Sequence, residues 1–211
     1  MKKSLFLILC LVSTTYCLAQ DQLGIKIAPS LSYNRIHTNP DTANFSSDGI
    51  ALRGKLGAIY DWTIRDNYCL STGLFFAANQ FAIKNDSLAI KEQHELQYIQ
   101  LPLLLKLYTS EIMLDTRLYV ELGGVGALKI NDRVTKLAND KPFIQAFRVW
   151  ELSGLFGLGI EYNISLFTSI FVGISYQRGL SSVLGEQQDL SDVPKAFGYA
   201  DWVSLDLGIK F

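Results

Sequence analysis

The chain holds two histidines, His37 and His94, and each has hydroxyl and carboxyl neighbours in sequence. Asp41 and Ser46 follow His37; Asp86, Ser87 and Glu95 surround His94. A serine hydroxyl, an imidazole and a carboxylate are the parts of a hydrolytic relay: the ring takes the hydroxyl proton and the acid holds the ring. A relay is defined by geometry, however, and these residues sit in polar stretches where Ser, Asp and His are ordinarily hydrated. The expectation is no catalytic residue and no enzyme. Metal-ligand spacing is also missing, with no HExxH, no paired cysteines and no Asp-rich calcium loop. Glu186, Asp189 and Asp192 read as a hydrated acidic loop. Gly154, Gly157 and Gly159 run G-x-x-G-x-G in GLFGLGIEY. That order is wrong for a dinucleotide fingerprint, so these glycines read as strand packing positions. No cofactor and no metal are expected.

With little chemistry to place, the elements carry the argument. Of 211 residues, 49% are hydrophobic and 18% charged, below the roughly 25% charged of an average soluble domain. Mean hydropathy is +0.18. The net charge of −1 offers nothing to nucleic acid. The N-terminus, MKKSLFLILCLVSTTYCLAQ, has a basic start (Lys2, Lys3), an apolar stretch from Leu5 to Val12 and small residues before Gln20. It reads as a secretory signal peptide, residues 1–19, cut between Ala19 and Gln20. Its apolar core is too short to anchor, and Thr14-Thr15-Tyr16 lack the small residue a lipidated Cys17 would want. Cys10 and Cys17 leave with it, so Cys69 stays alone and no disulfide forms. The mature chain, 20–211, reads as one domain. It has no apolar run of 18–20 residues, so no transmembrane helix is expected.

Its apolar residues recur instead with period two. In WVSLDLGIKF, Val203, Leu205, Leu207, Ile209 and Phe211 take one face, while Trp202, Ser204, Asp206, Gly208 and Lys210 take the other. Such alternation makes a strand. Eight such segments occur, at about 23–34, 50–62, 68–83, 95–108, 117–129, 147–162, 168–180 and 200–211. Their connections alternate in length. Those at about 35–49, 84–94, 130–146 and 181–199 are long and polar; TIRDN, TSEIMLDT and NISLF are short. Regular long/short alternation puts every long loop at one end of an up-and-down sheet. That is the signature of an eight-stranded antiparallel transmembrane β-barrel, with short periplasmic turns and long external loops. Trp62, Tyr68, Tyr108, Tyr119, Trp150, Tyr162, Tyr176, Tyr199 and Trp202 fall near segment ends and are expected to form the interfacial aromatic belts. A soluble lipocalin-like barrel remains the alternative, with its apolar residues turned inward.

If the apolar face meets lipid, the other face fills the lumen. It carries Lys26, Arg53, Lys55, Asp61, Lys106, Arg117, Glu121, Lys129, Glu151, Glu161, Asp206 and Lys210. Eight strands enclose barely enough room for their own side chains, so these charges are expected to pair as a polar plug. Opposite signs are mixed rather than arranged in rings, which gives no support to an ion conduit.

The segment Tyr98-Ile99-Gln100-Leu101-Pro102-Leu103-Leu104-Leu105-Lys106 resembles the mid-chain signature of the PorT-like, porin-like family of Bacteroidetes-type outer-membrane β-barrel proteins. That resemblance implies an outer-membrane barrel. In some relatives it also implies a part in type IX protein secretion. The motif residues are Tyr98, Gln100, Pro102 and Lys106. Ile99, Leu101, Leu103, Leu105 and Leu107 are expected to face lipid. Pro102 is expected to bring a bulge or a broken ladder rung, because a closed barrel has no free edge for its missing N–H. Phe211, a terminal aromatic on an alternating last strand, resembles the signal read by the barrel-assembly machinery. The partners expected are outer-membrane lipid, that machinery during biogenesis, and envelope or secretion-system proteins. The role expected is structural or interaction-based, through the external loops. A narrow passive porin, a secretion component and a lipid-modifying enzyme remain alternatives.

Overall fold

The computed structural model describes residues 21–38, 46–47, 49–85, 90–137, 144, 146–185 and 196–211. The expected signal peptide lies outside them. The fold is built of eight long strands: β1 (Gln22–Thr38), β2 (Ala51–Arg65), β3 (Tyr68–Asn85), β4 (Ile90–Tyr108), β5 (Thr116–Leu137), β6 (Trp150–Asn163), β7 (Ser169–Gly179) and β8 (Ala196–Lys210). Each pairs antiparallel with the next, and β8 returns to β1. The sheet is therefore a closed all-β barrel. A two-residue strand, Ser46–Ser47, adds to the upper end of β3.

The direction of the side chains decides the solvent. Along β7 the pattern is strictly buried/exposed: Ser169, Phe171, Gly173, Ser175 and Gln177 point in, while Ile170, Val172, Ile174 and Tyr176 point out. β6 does the same, with Glu151, Ser153 and Glu161 inside and Leu152, Phe156, Leu158 and Ile160 outside. Leu101, Leu103, Leu105 and Leu107 of β4 are exposed, while Gln100, Pro102, Leu104 and Lys106 are buried. Apolar-out, polar-in is the reverse of a water-soluble barrel, and it removes the lipocalin-like alternative.

Two expectations need correction, and a third, at Pro102, is met by the broken rung and not by the bulge. First, the stretch 84–94 is mostly strand: β3 and β4 continue until only residues 86–89 separate them, and β5 runs on to Leu137. Beyond the apolar band the outward face of a strand meets water, so these extensions carry polar residues and look like loop. Second, Tyr108, Tyr119 and Trp202 do not join the belt. Tyr119 and Trp202 are buried inside the barrel, and Tyr108 packs among the lumen residues. Trp62, Trp150, Tyr162 and Tyr176 do face outward. Third, Pro102 produces no bulge. The β3–β4 ladder lacks the pairs between Thr72↔Leu103 and Phe75↔Gln100, with register unchanged, while Pro102↔Val125 is kept on the other side. The broken rung is bridged from a side chain, as Thr72 Oγ1 donates to the Pro102 carbonyl at 2.9 Å. Pro29 acts similarly on β1: the ladder to β8 skips from Ile27↔Leu207 to Ser30↔Ser204.

Inside, apolar residues form three layers. Ile59, Phe75, Tyr119 and Phe171 pack toward the short-turn end, Leu104, Val125 and Leu155 lie in the middle, and a larger cluster fills the long-loop end. Tyr119 sets a strict local demand. A Cβ on Gly159 or on its cross-strand partner Gly173 would stand 2.5 Å from the Tyr119 hydroxyl oxygen, so only glycine leaves room for the ring.

Candidate functional site

The lumen of the short-turn half holds a continuous chain of alternating charge. Asp206 of β8 meets Lys26 of β1 at 2.9 Å, and Lys26 reaches Glu121 of β5 at 3.6 Å. Lys106 of β4 stands 3.6 Å from Glu121 and 3.5 Å from Asp61 of β2. Lys210 of β8 then joins Asp61 at 2.9 Å to Glu161 of β6 at 2.6 Å. Each ammonium thus sits between two carboxylates. Hydroxyls complete the carboxylates' shells: Ser71 Oγ donates to Asp61 at 2.5 Å, Tyr108 OH to Glu161 at 2.9 Å and Ser169 Oγ to Glu161 at 3.2 Å. Lys106 also lies 4.6 Å above the Tyr119 ring. Buried charges require partners of this kind, since an unpaired one costs several kcal/mol, roughly 3–5 by mutational experience. The alternation leaves no ring of one sign through which an ion could be selected.

Above this chain, Lys55 donates to Gln177 Oε1 at 2.6 Å and lies 4.5 Å over the Trp202 ring. Gln177 passes the contact to Ser153 at 2.6 Å. Between the two levels is a cavity of about 30 Å³ touching Lys26, Lys55, Gln100 and Gln177, large enough for one or two water molecules. Below the chain, a cavity of about 250 Å³ at the short-turn end reaches Tyr108, Arg117 and Glu161, and Arg117 stacks 5.5 Å over Tyr108. Arg53 bonds Gln80 Oε1 at 2.5 Å higher up. Glu151 is buried, whereas Lys129 pairs with Asp132 near the long-loop rim.

The long-loop end is closed by apolar residues that the sequence did not mark. Ile144, Phe147, Val183 and Leu184, from the β5–β6 and β7–β8 connections, pack on Phe81, Leu96, Tyr98 and Trp202 of the wall. Backbone bonds hold these loop pieces as added rungs. Val183 N–H donates to Gly198 O at 2.8 Å, Arg148 N–H to Val183 O at 2.9 Å and Gly185 N–H to Ala146 O at 3.0 Å. His94 belongs to this stopper. Its ring packs edge-on to Phe147 at 4.9 Å, and Nε2 lies 3.4 Å from Glu92 Oε2. Glu95 is on the opposite face of β4. His37 is exposed and packs edge-on to Tyr199 at 5.9 Å. Asp41, Asp86, Ser87, Glu186, Asp189 and Asp192 lie outside the described residues. Among the described residues no hydrolytic relay is assembled, and no group of three or more metal-ligating side chains occurs.

On the outer wall, Asp201 is fully buried although its strand position faces outward. Arg35 clamps it at 2.6 and 3.1 Å, and Gly179 N–H donates to it at 3.0 Å. This ties β1, β8 and β7 together at the long-loop rim.

Residues 18–185 match the family model described as outer membrane protein beta-barrel domain. No curated protein matches the chain. Among solved structures it is similar to the outer membrane protein OprG of Pseudomonas aeruginosa, at 14% identity and a TM-score of 0.56, covering 90% of this chain and 95% of that one. It is also similar to Neisserial surface protein A, at 13% identity and 0.49, covering 91% and 97%. A third is Ail of Yersinia pestis, in complex with the heparin analogue sucrose octasulfate, at 12% identity and 0.40, covering 90% and 99%. At these identities OprG speaks for the fold alone, and the other two add no weight. With most of its length matched, the chain belongs to the family of outer membrane protein β-barrel domains.

Proposed function

We propose that this barrel is a closed structural and interaction protein of the outer membrane, with both termini and the short turns periplasmic and the long loops external. The observation that carries this reading is the double closure of the lumen. A charge chain from Asp206 to Glu161 fills the short-turn half, and an apolar stopper around Phe147 fills the other end. A barrel sealed twice has its working surface on its rims. Planar-bilayer recording of the reconstituted protein tests this: silence is expected, and a steady open channel would favour the passive porin and overturn the proposal.

Tyr98, Gln100, Pro102 and Lys106 all point into the barrel, so the motif describes lumen packing and not an exposed docking surface. It supports kinship of architecture. A part in secretion is tested separately by deleting the gene: intact surface secretion removes it. In our reading Phe211 serves assembly. Its backbone exchanges bonds with Leu23, donating at 2.7 Å and accepting at 3.2 Å, which completes the joint between the last and first strands.

A further inference from the structure

Two of the three short turns carry large apolar side chains where water-loving residues would be expected. In the β4–β5 turn, Met113 is 72% and Leu114 85% exposed, with Ile112 beside them. In the β6–β7 turn, Leu166 is 90% and Phe167 71% exposed, with Ile164. The turns abut, because Asn163 N–H donates to Asp115 O at 2.8 Å. Both are fixed. Thr116 N–H bonds Met113 O at 3.0 Å and Asp115 takes a left-handed φ of 57°, while Ile164 N–H bonds Thr168 O at 2.8 Å. An exposed apolar patch held rigid normally marks a contact surface.

The strands beside the turns say what the contact is. On β7 the outward apolar run is Ile170 to Tyr176, stopped above by exposed Arg178. Six residue steps at ~3.3 Å, tilted 35–45°, give about 15 Å of height, well short of an apolar band ~25 Å tall. On β4 the run from Ile99 to Leu107, with part-buried Gln97 above it, gives about 20 Å by the same geometry. β2 differs. Its outward run from Leu52 to Ile64 gives about 30 Å, and it leads into the exposed polar turn Arg65, Asp66 and Asn67. Each apolar turn thus joins one strand whose outward apolar run is short, β4 or β7, to one whose run reaches about 30 Å by the same geometry, β5 from Leu118 to Ile130 and β6 from Trp150 to Tyr162.

We infer that the β4–β5 and β6–β7 turns dip into the leaflet at the short-turn end, where Ile112, Met113, Leu114, Ile164, Leu166 and Phe167 complete the apolar band that β4 and β7 leave unfinished. Their ligand is the boundary between phospholipid headgroups and acyl chains. That leaflet is the periplasmic one under the orientation proposed above; the insertion itself does not depend on whether the lumen conducts.

Spin labels test this in the full mature chain, with Cys69→Ser as background, refolded into phosphatidylethanolamine–phosphatidylcholine vesicles. Labels go on Met113→Cys and Leu166→Cys, with Leu103→Cys as a wall reference and Asp66→Cys as a turn reference. Labels at 113 and 166 should collide several-fold more often with oxygen than with a water-soluble nickel chelate, matching position 103. Chelate access matching position 66 would overturn the inference, whether the patch then meets water or a periplasmic protein. Heat-modifiable mobility confirms that each variant is folded. Phe167→Trp adds a second reading, because acyl-brominated lipid should quench part of its fluorescence, and no added quenching relative to the parent chain overturns the inference as well.

Discussion

Lys210 Nζ stands 2.9 Å from Asp61 Oδ2, and this contact joins β8 to β2 across the intervening β1. It is the link through which the end of the chain enters the lumen network. Removing Asp61 leaves both Lys106 and Lys210 buried with one carboxylate fewer, and removing Lys210 leaves Asp61 with Lys106 alone and strips the lysine from Glu161. We expect Lys210→Ala or Asp61→Ala to destabilise the barrel by about 3–5 kcal/mol, and Lys210→Met with Asp61→Leu to recover part of that loss. Urea unfolding followed by heat-modifiable mobility gives the values. A double variant as weak as the sum of the singles would show that the two act independently.

Gly159 and Gly173 form the slot that receives the Tyr119 ring. Gly173→Ala should cost roughly 1–3 kcal/mol through overpacking. Tyr119→Leu placed in the same chain should relieve the part due to the ring. The remainder reflects the Leu158 carbonyl, 2.8 Å from the added Cβ. Equal stability of Gly173→Ala and the parent chain would refute the slot.

The two lumen seals lie in series, so either suffices. Phe147→Ala should leave the barrel electrically silent, and so should Lys26→Ala with Lys106→Ala. Only the three substitutions together should conduct in a planar bilayer. Conductance from Phe147→Ala alone would mean that the charge chain does not seal.

Deleting Phe211 should lower the amount of folded barrel reaching the membrane while leaving the chain's synthesis unchanged. The heat-modifiable fraction in membrane preparations reads this directly, and wild-type levels would refute an assembly role.

The wall of the barrel was legible because lipid enforces the period of two along β6 and β7. The same cause explains where reading failed. Above the band lipid no longer makes the outward face apolar, so the upper parts of β3, β4 and β5 passed for loops. Trp202 was misplaced by its residue type, although its parity with Ser204, Asp206 and Lys210 pointed inward. The Lys106–Glu121 contact follows directly once the strand register is known, since the two are cross-strand partners. Lys210–Asp61 does not, because barrel closure brings together strands that are not neighbours. The stopper was hidden because Ile144, Val183 and Leu184 stand in connections without periodicity, and Phe147 counted as the start of the strand segment 147–162.

Pro29 gives the closing joint of the cylinder an uneven build. The β1–β8 ladder is two clasps: a short one from Gly24↔Lys210 to Ile27↔Leu207, and a longer one from Ser30↔Ser204 to Thr38↔Ala196. The short clasp contains the chain's end, and the Leu23–Phe211 exchange is its outermost tooth. Losing one residue there shortens an already small fastening, whereas the same loss at the far clasp would hardly be felt. The proline thereby places the Leu23–Phe211 exchange at the end of the shorter of the two clasps.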